Sequence, residues 1–388
     1  MIDYIVVGLG LSGISFCQKL SNDQKSFVAI DHGKQSASRV ASGLFNPIAL
    51  KRTKPAWKGP QLMTMAIPFY KALEIDLGIQ CVHHASILKI MQQTADINDW
   101  HRASAIADCR SYLNHDIVQN SNPFIAAPLG FGIVKKTGWV DTALLVDRYS
   151  LYLESKKALI KTAFDSNALQ LTENGVRYGK IEAKHIVFTQ GVGLINNPWF
   201  SFIPIQKTKG ELMVIECEDL QEKSIIHGGV FMIPLGNNRY RVGSTYNWKD
   251  QTEGTTTNAR RSLQKKLNDI ISAPYRIISQ TAGFRPTTPD RRPVIGVHPI
   301  FPNLLYVMAW GLVEFYKLPF VQYYSVITSK KESRFHMKSI LIGLNIRFFL
   351  RKKVIIIIDV NFFSIDLRAS DRSTSRIYQK KIHRYNIT

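Results

Sequence analysis

The chain opens with short apolar runs separated by a glycine-rich turn. Residues 4–7 form an apolar run with β-branched side chains, segment 8–13 contains three glycines, and residues 14–20 have a helix-like pattern. A second apolar run, residues 27–30, ends at Asp31. Short apolar runs bounded by turn residues are typical of buried strands in a parallel sheet. The pattern therefore predicts strand, tight turn, helix and strand, the start of an α/β fold.

The middle of the chain shows a different pattern, in which apolar and polar residues alternate. This alternation occurs at residues 209–212, 231–234 and 240–245, and it is typical of antiparallel strands with one buried face. Apolar residues at helical spacing between 62 and 73 predict a helix that packs into a core. Because 388 residues exceed the usual size of a single hydrophobic core, we expect two intertwined domains.

The formal net charge of +21 is unevenly distributed. Residues 321–388 carry +10, and the preceding 320 residues together carry +11. The basicity is therefore largely a property of the C-terminal segment, and nucleic acid is not an expected partner of the chain as a whole. A basic loop at residues 51–57 is interpreted as solvated, with contact to an anionic substrate as the alternative.

Cysteine usage indicates a reducing, cytoplasmic setting. Cys17, Cys81, Cys109 and Cys217 are widely separated, which predicts neither a disulfide framework nor a metal site. The neighbours His83 and His84 lack a third ligand at a recognisable spacing, so no metal is expected. We predict no signal peptide and no membrane association, because no apolar run reaches the roughly 20 residues that span a bilayer.

The first turn has the GxGxxG spacing of a dinucleotide-binding fingerprint. Gly8 permits the tight turn, Gly10 lets the backbone approach a pyrophosphate, and Gly13 lets helix and strand pack closely. Leu11 and Ser12 would begin a helix whose N-terminus faces the phosphates with its partial positive charge.

The second strand supplies the distal acid of the same fingerprint. Asp31 lies about twenty residues after the glycines, where a carboxylate accepts hydrogen bonds from the adenosine ribose. These residues predict an adenine dinucleotide and leave NAD and FAD as alternatives.

Four later segments resemble the D-amino-acid oxidase and glycine oxidase superfamily of FAD-dependent oxidoreductases. Residues 36–44 are similar to the small-residue segment beside the flavin, and residues 183–191 to a strand that returns to the cofactor. Residues 283–286 and 290–296 resemble the segment that leads back into the FAD domain. The resemblance covers about residues 1–306 and implies FAD contacts from Gly8, Gly10, Leu11, Ser12, Gly13, Asp31, Ser38, Arg39, Ala41, Ser42, Gly43, Gly191 and Gly283.

The resemblance also implies a substrate-binding arginine. Arg285 matches the family arginine that clamps the substrate carboxylate in a bidentate manner, a geometry that suits a planar guanidinium. The alternative is a structural ion pair with a carboxylate such as Asp290. Phe231 falls near the position of a family tyrosine but lacks its hydroxyl. Tyr240 and Tyr246 could supply one, although we interpret both as strand-packing residues.

The expected architecture is α/β, with a Rossmann-type FAD-binding domain and an inserted antiparallel-sheet (α+β) substrate domain. By resemblance, the function is oxidation of an amine or amino-acid-like substrate by hydride transfer to flavin N5, with dioxygen or another electron acceptor. Alternatives are oxidation of a modified tRNA base and a catalytically impaired flavoprotein remnant. The expected divisions are residues 1–80, 138–198 and 281–320 for the FAD-binding domain, 81–137 and 199–280 for the substrate domain, and 321–388 for an atypical basic tail.

The C-terminal segment departs from the family pattern after Val307. The family has a glycine-rich turn and then a helix whose N-terminus faces the flavin, whereas residues 308–320 read MAWGLVEFYKLPF. Rereading compatible codons two nucleotides later permits NGLGSRGVLQAPF, which resembles the missing motif. The codons for Met308–Ala309, Trp310–Gly311 and Phe315–Tyr316 force two of its glycines and its second leucine. We therefore hypothesise that the reading frame shifts near Val307.

Restoring the shifted frame is expected to raise the flavin content of the purified protein, because the missing turn and helix would complete one wall of the flavin site. Flavin per chain is measured from absorbance after denaturation, with the chain as given for comparison. Abundant peptides from residues 321–388 in the native protein, detected by mass spectrometry, would contradict the hypothesis; RNA binding by the basic tail is its functional alternative.

Overall fold

The computed structural model describes residues 1–308, except 35, 57, 290, 292 and 299, and the backbone of residues 345–351 and 354–361. Two larger sheets dominate this part of the chain, and helices pack on both. Its α-helices are α1 (Leu11–Asn22), α2 (Ala37–Val40), α3 (Gly59–Leu77), α4 (Thr94–Ser104), α5 (Ala107–Arg110), α6 (Thr142–Ser155) and α7 (Thr257–Asn268).

The strands are mostly short and follow one another in quick succession along the chain. They are β1 (Ile2–Val7), β2 (Phe27–Ile30), β3 (Leu44–Phe45), β4 (Ile48–Ala49), β5 (Lys54–Pro55), β6 (Val82–His84), β7 (Ile87–Ile90), β8 (Phe131–Val134), β9 (Gly138–Val140), β10 (Leu159–Ile160), β11 (Leu169–Thr172), β12 (Gly175–Tyr178), β13 (Ile181–Phe188), β14 (Gln206–Glu216), β15 (Ile225–His227), β16 (Phe231–Gly236), β17 (Arg239–Gly243), β18 (Arg276–Thr287), β19 (Val294–Val297), β20 (Leu304–Met308), β21 (Asn345–Arg351) and β22 (Val354–Asn361).

The first sheet is built around five parallel strands in the order β10-β2-β1-β13-β20. Its central strands are apolar because both faces are covered, one by α1, α3 and α6 and the other by the β11–β12 strands and residues 194–205. Ile5, Val6 and Val7 are accordingly all buried. The chain leaves β1 toward β2 on one side, and β13 pairs with β1 on the other. In open parallel sheets this reversal of strand order creates a crevice at the carboxyl ends of the strands, where ligands bind.

The second sheet is mainly antiparallel, with the strand order β18-β14-β17-β16-β15-β7-β8. One of its faces packs on α7 through Leu263 and Leu267, which are buried together with Met213 and Val242 of the sheet. Its long strands β14 and β18 pair along almost their whole length. The predicted architecture, a Rossmann-type sheet combined with an antiparallel-sheet unit, is therefore confirmed.

The two sheets are connected several times by the chain. Small sheets β3-β9-β6 and β4-β5 lie between the main units in the sequence, and α3 packs into the core of the parallel sheet through Leu62, Phe69 and Tyr70. Strand β18 runs without interruption through residue 281, where the sequence placed a domain boundary. That set of boundaries remains a prediction.

The C-terminal strands extend the parallel sheet at the β19 edge. Strand β19 is antiparallel to β20, and the β21–β22 hairpin joins the sheet by the pairing of Ile295 with Ile357. The glycine-rich turn and helix sought after Val307, and the tail apart from these two strands, lie outside the described residues. None of the helices in the described ranges is long and apolar enough to cross a bilayer.

Candidate dinucleotide-binding and active site

The turn between β1 and α1 is closely packed against the end of β13. The Gly8 N–H donates to Ile30 O at 2.9 Å, and Gly8 has a φ of +98°, a conformation that favours glycine. A Cβ at Gly13 would overlap the carbonyl oxygen of Gly8. The hydroxyl of Thr189, just after β13, lies 2.5 Å from that same carbonyl oxygen. The first turn of α1 therefore lies directly on the backbone of the glycine-rich turn.

The carboxylate of Asp31 closes the same crevice at the end of β2. It accepts hydrogen bonds from the Leu9 N–H at 2.8 Å and from the Gly33 N–H at 2.7 Å. An ionised carboxylate has about four acceptor positions, so these two bonds fix its orientation while leaving acceptor capacity for another donor. The structure thus brings Asp31 and the glycine-rich turn together, as the sequence predicted.

The small-residue segment begins beside the N-terminus of α1. Ser38 accepts a hydrogen bond from the Leu11 N–H at 3.0 Å, and a Cβ on Gly10 would lie 2.9 Å from the same hydroxyl oxygen. Arg39 forms an ion pair with Asp147 of α6 at 2.6 Å. The Ser38 contact holds α2 against the start of α1, and the Arg39 ion pair holds it against α6. Ser12 lies in the first turn of α1.

The end of this segment lies against β9 and β17. Ala41 O accepts from the Thr142 hydroxyl at 3.3 Å, and a Cβ at Gly43 would overlap the carbonyl oxygen of Val140. Ser42 O accepts from Nη1 of Arg241 at 3.3 Å. The segment therefore touches both the parallel-sheet unit and the antiparallel sheet.

One face of the antiparallel sheet, called here the inner face, looks toward the parallel-sheet unit. Gly283 on β18 pairs with Gly210 on β14, and a Cβ at Gly283 would come within 3.2 Å of Val40 of α2. Gly243 on β17 shares this face because it pairs with Leu212, two residues after Gly210. Three glycines, called here the glycine patch (Gly210, Gly243 and Gly283), thus let neighbouring side chains lie directly on the backbone of the inner face.

Arg285 extends its guanidinium across this patch. A Cβ at Gly210 would overlap the Arg285 guanidinium, which shows how closely the side chain lies over the strand. Its Nη2 donates to Ser244 Oγ at 2.8 Å and its Nη1 donates to Thr245 O at 3.3 Å. The guanidinium carbon is 5.7 Å from the ring centroid of Tyr246. The loop after β17 therefore sets both the position and the plane of the guanidinium.

Comparison with known proteins identifies the family. Residues 3–314 match the family described as FAD dependent oxidoreductase. The chain belongs to this family. It is 21% identical over 330 residues to the glycine oxidase of Bacillus subtilis (strain 168), covering 78% of this chain and 86% of that protein. The fold is also similar to the crystal structure of glycine oxidase from Geobacillus kaustophilus, with a TM-score of 0.69, 16% identity and coverage of 87% and 96% of the two chains.

A second relative is named for tRNA biosynthesis rather than as a glycine oxidase. The tRNA 5-methylaminomethyl-2-thiouridine biosynthesis bifunctional protein MnmC of Legionella pneumophila (strain Corby) is 20% identical over 267 residues. The match covers 60% of this chain and 39% of that protein. Since this chain spans well under half of that relative, the similarity concerns one part of it.

FAD is the cofactor of this oxidoreductase family, and the residues present fit it. The glycine-rich turn admits no side chain at Gly13, and α1 begins at that turn with Asp31 beside it. This arrangement matches what a pyrophosphate and an adenosine ribose require. Gly191, with a φ of +56°, begins a short 3₁₀ helix after β13 and faces Pro286. The predicted role of each single residue in binding FAD remains a prediction.

Two tyrosines considered as substrate-binding residues lie in different environments. Tyr240 is buried on the outer face, opposite the inner face, and its hydroxyl accepts from the Glu222 N–H at 3.0 Å, as expected for strand packing. The prediction that Tyr246 is also a strand-packing residue is wrong, because its ring lies outside β17 and stacks on Arg285. Phe231 lies on the inner face, paired with Gly243. The alternative partner Asp290 lies outside the described residues.

Other residues of the oxidoreductase were not singled out from its sequence. Arg241 is a partly buried inner-face arginine whose guanidinium carbon lies 5.5 Å from the Trp139 ring centroid; burial lowers its pKa. An arginine between two buried strand residues was the available signal, but alternation alone does not show which face meets a cofactor. His83 stacks on Trp139 at 4.2 Å between ring centroids, and no metal-binding group of His, Cys, Asp and Glu occurs among the described residues.

The substitution Gly13→Ala is expected to destabilise the protein by about 1–3 kcal/mol and to lower its FAD content, because the added Cβ forces α1 away from the Gly8 carbonyl. Thermal denaturation and flavin absorbance measure the two effects. The matched control is Gly33→Asn, at a positive-φ position where an added Cβ would meet no atom within 4 Å. Equal flavin loss in both variants would contradict the close-packing argument.

Proposed function

We propose that this oxidoreductase oxidises an amine or amino-acid-like substrate whose carboxylate binds Arg285. The observation that carries the proposal is the position of the guanidinium over the glycine patch, on the face that meets α2 and Ser42. The absence of a side chain at Gly210 lets the guanidinium lie directly over β14. The relatives named glycine oxidase support an amino-acid-like substrate.

The loop after β17 prepares Arg285 for a carboxylate. Ser244 and Thr245 accept hydrogen bonds from its two terminal nitrogens, and the Tyr246 ring lies against its face. A guanidinium held in one plane loses little conformational entropy when it binds a carboxylate by two parallel hydrogen bonds. Arg285 would therefore fix the orientation of a bound carboxylate as well as attract its charge.

The chemistry divides between the cofactor and the protein. When bound, FAD supplies the hydride acceptor, and dioxygen or another acceptor reoxidises it. Arg285 would orient the substrate by its carboxylate, and Phe231 would exclude water from the neighbouring part of the inner face. Because Phe231 has no hydroxyl, the guanidinium carries the carboxylate recognition without a phenol on this strand.

The substitution Arg285→Lys is expected to lower kcat/KM for an amino-acid substrate about 100-fold, because an ammonium cannot replace the bidentate fork. Steady-state kinetics with glycine and with methylamine, which lacks the carboxylate, measure the effect. The loss should appear with glycine alone. Arg276→Lys is the matched control, since Arg276 lies on the same strand but forms an exposed ion pair with Glu216. An equal loss with both amines would contradict carboxylate binding.

A second candidate function is oxidation of a modified base in tRNA. Tyr246, next to Arg285, is 43% exposed, and its neighbour Trp248 is 40% exposed. The centroids of the two rings are 5.2 Å apart. Arg291 also lies over Tyr246, at 5.8 Å from the ring centroid. Exposed aromatic rings next to guanidinium groups stack unpaired bases. The MnmC relative supports this candidate, although it matches only part of that protein.

If a tRNA base is the substrate, Trp248→Ala should weaken RNA binding roughly tenfold, because base–aromatic stacking contributes about 1–3 kcal/mol per base. A filter-binding titration with tRNA at increasing salt measures this loss. Phe202→Ala is the control, since Phe202 is similarly exposed, at 41%, but lies next to His298. No retention of tRNA by the unmodified protein at low salt would remove the candidate.

A further inference from the structure

Two charged residues of β14 are buried on the face opposite the glycine patch. Lys209 and Glu211 flank Gly210 in the sequence, so their side chains point away from it. Their exposed fractions are 1% and 2%. Lysine and glutamate are almost never buried to this extent unless they are paired. Neither residue has a role in the function proposed above.

Lys209 holds the middle of the loop that follows β17. Its Nζ donates to Asp250 Oδ2 at 3.0 Å and to Thr252 Oγ1 at 3.0 Å. Its backbone N–H and C=O exchange hydrogen bonds with Asn247, both at 2.9 Å. One lysine therefore fastens this loop through its side chain and through its backbone.

Glu211 holds both ends of the same loop. Its carboxylate accepts from the Thr256 N–H and hydroxyl, both at 2.8 Å, and from Gln280 Nε2 at 2.7 Å. Its backbone N–H donates to Thr245 Oγ1 at 2.8 Å, and its carbonyl accepts from the Thr245 N–H at 3.0 Å. The loop of residues 244–256, called here the clamp loop, is thus tied to β14 at its start, middle and end.

We propose that Lys209, its ion-pair partner Asp250 and Glu211 are positioning residues that set the guanidinium of Arg285 through the clamp loop. The clamp loop supplies two acceptors for Arg285, Ser244 Oγ and Thr245 O. It also supplies the Tyr246 ring. Charges on the outer face of β14 therefore determine the geometry of an anion-binding group on its inner face.

Removal of the Asp250 charge, which helps to hold the clamp loop, should weaken ligand binding at Arg285. A hydrogen bond to a charged group weakens steeply when its angle or distance changes, and small misplacements have large effects on affinity. Asp250→Asn replaces the charged acceptor of Lys209 with a neutral amide, and Thr252 remains the other clamp-loop side chain bonded to Lys209 Nζ. The acceptors of Arg285 would then shift, and the guanidinium would lose its fixed plane.

The inference rests on the proposed carboxylate site, and a binding test with acetate addresses both without needing turnover. Acetate affinity is measured by saturation-transfer NMR with the full-length protein, and acetamide serves as the uncharged comparison. Asp250→Asn should weaken acetate binding about fivefold, and Arg285→Lys at least tenfold, while acetamide changes in neither. Glu216→Gln is the isosteric control, because Glu216 lies on β14 in exposed ion pairs with Arg239 and Arg276.

The double variant Asp250→Asn/Arg285→Lys separates positioning from a general structural effect. If Asp250 acts through Arg285, the double variant should bind acetate no more weakly than Arg285→Lys alone. An additive loss would overturn the positioning role. So would unchanged acetate binding in Asp250→Asn when Arg285→Lys is impaired. Unchanged binding in Arg285→Lys would overturn the proposed carboxylate site itself and the inference with it. Lys209→Met should reproduce the effect of Asp250→Asn, and thermal denaturation checks that each variant folds.

Discussion

At the switch point of the parallel sheet, the first turn of α1 lies against the carbonyl of Gly8 with no space for a side chain at Gly13. This close approach aims the helix N-terminus along the crevice between β1 and β13, where an anionic ligand is favoured by the helix dipole. Thr189 at the end of β13 contacts the same carbonyl, so the neighbouring strand secures the turn as well. Asp31 is fixed relative to this turn by the Leu9 N–H. The cofactor site is consequently a property of three strand ends rather than of one motif.

The antiparallel sheet meets this site under an equivalent steric constraint. Its inner face lacks a side chain at Gly283, so α2 can approach through Val40. On its outer face, the side chains of Lys209 and Glu211, on either side of Gly210, are buried and hydrogen-bonded. Burying two charges costs free energy even when they are paired, and only well-placed hydrogen bonds and opposite charges offset that cost. Here that cost is offset by the clamp loop, which these charges hold close to Arg285.

The local sequence predicted the parts of the structure that depend on nearest neighbours in the chain. The strand–turn–helix unit, the strands at 209–212, 231–234 and 240–243 and the buried helix at 62–73 all appear in the structure, because each follows from periodicity within one element. The expected single buried face does not appear in β14, where residues 208–213 are buried on both faces. The clamp loop was not predictable in the same way. Its contacts join Lys209 to Asp250 and Glu211 to Thr256, and neither spacing has a local signature. Tyr246 was misread for the same reason, since its partner Arg285 lies on another strand.

The Arg285 guanidinium and the aromatic rings beside it offer two separate kinds of recognition. Its terminal nitrogens lie in the plane of the group and suit a carboxylate. Its central carbon lies over the Tyr246 ring, 5.7 Å from the ring centroid. Tyr246 is in turn in edge contact with Trp248, which is exposed. A small amino acid would bind the terminal nitrogens of Arg285 alone. A base carrying an amine would also stack on the rings of Tyr246 and Trp248. The two candidate functions therefore differ in whether the rings beside the guanidinium contribute to binding.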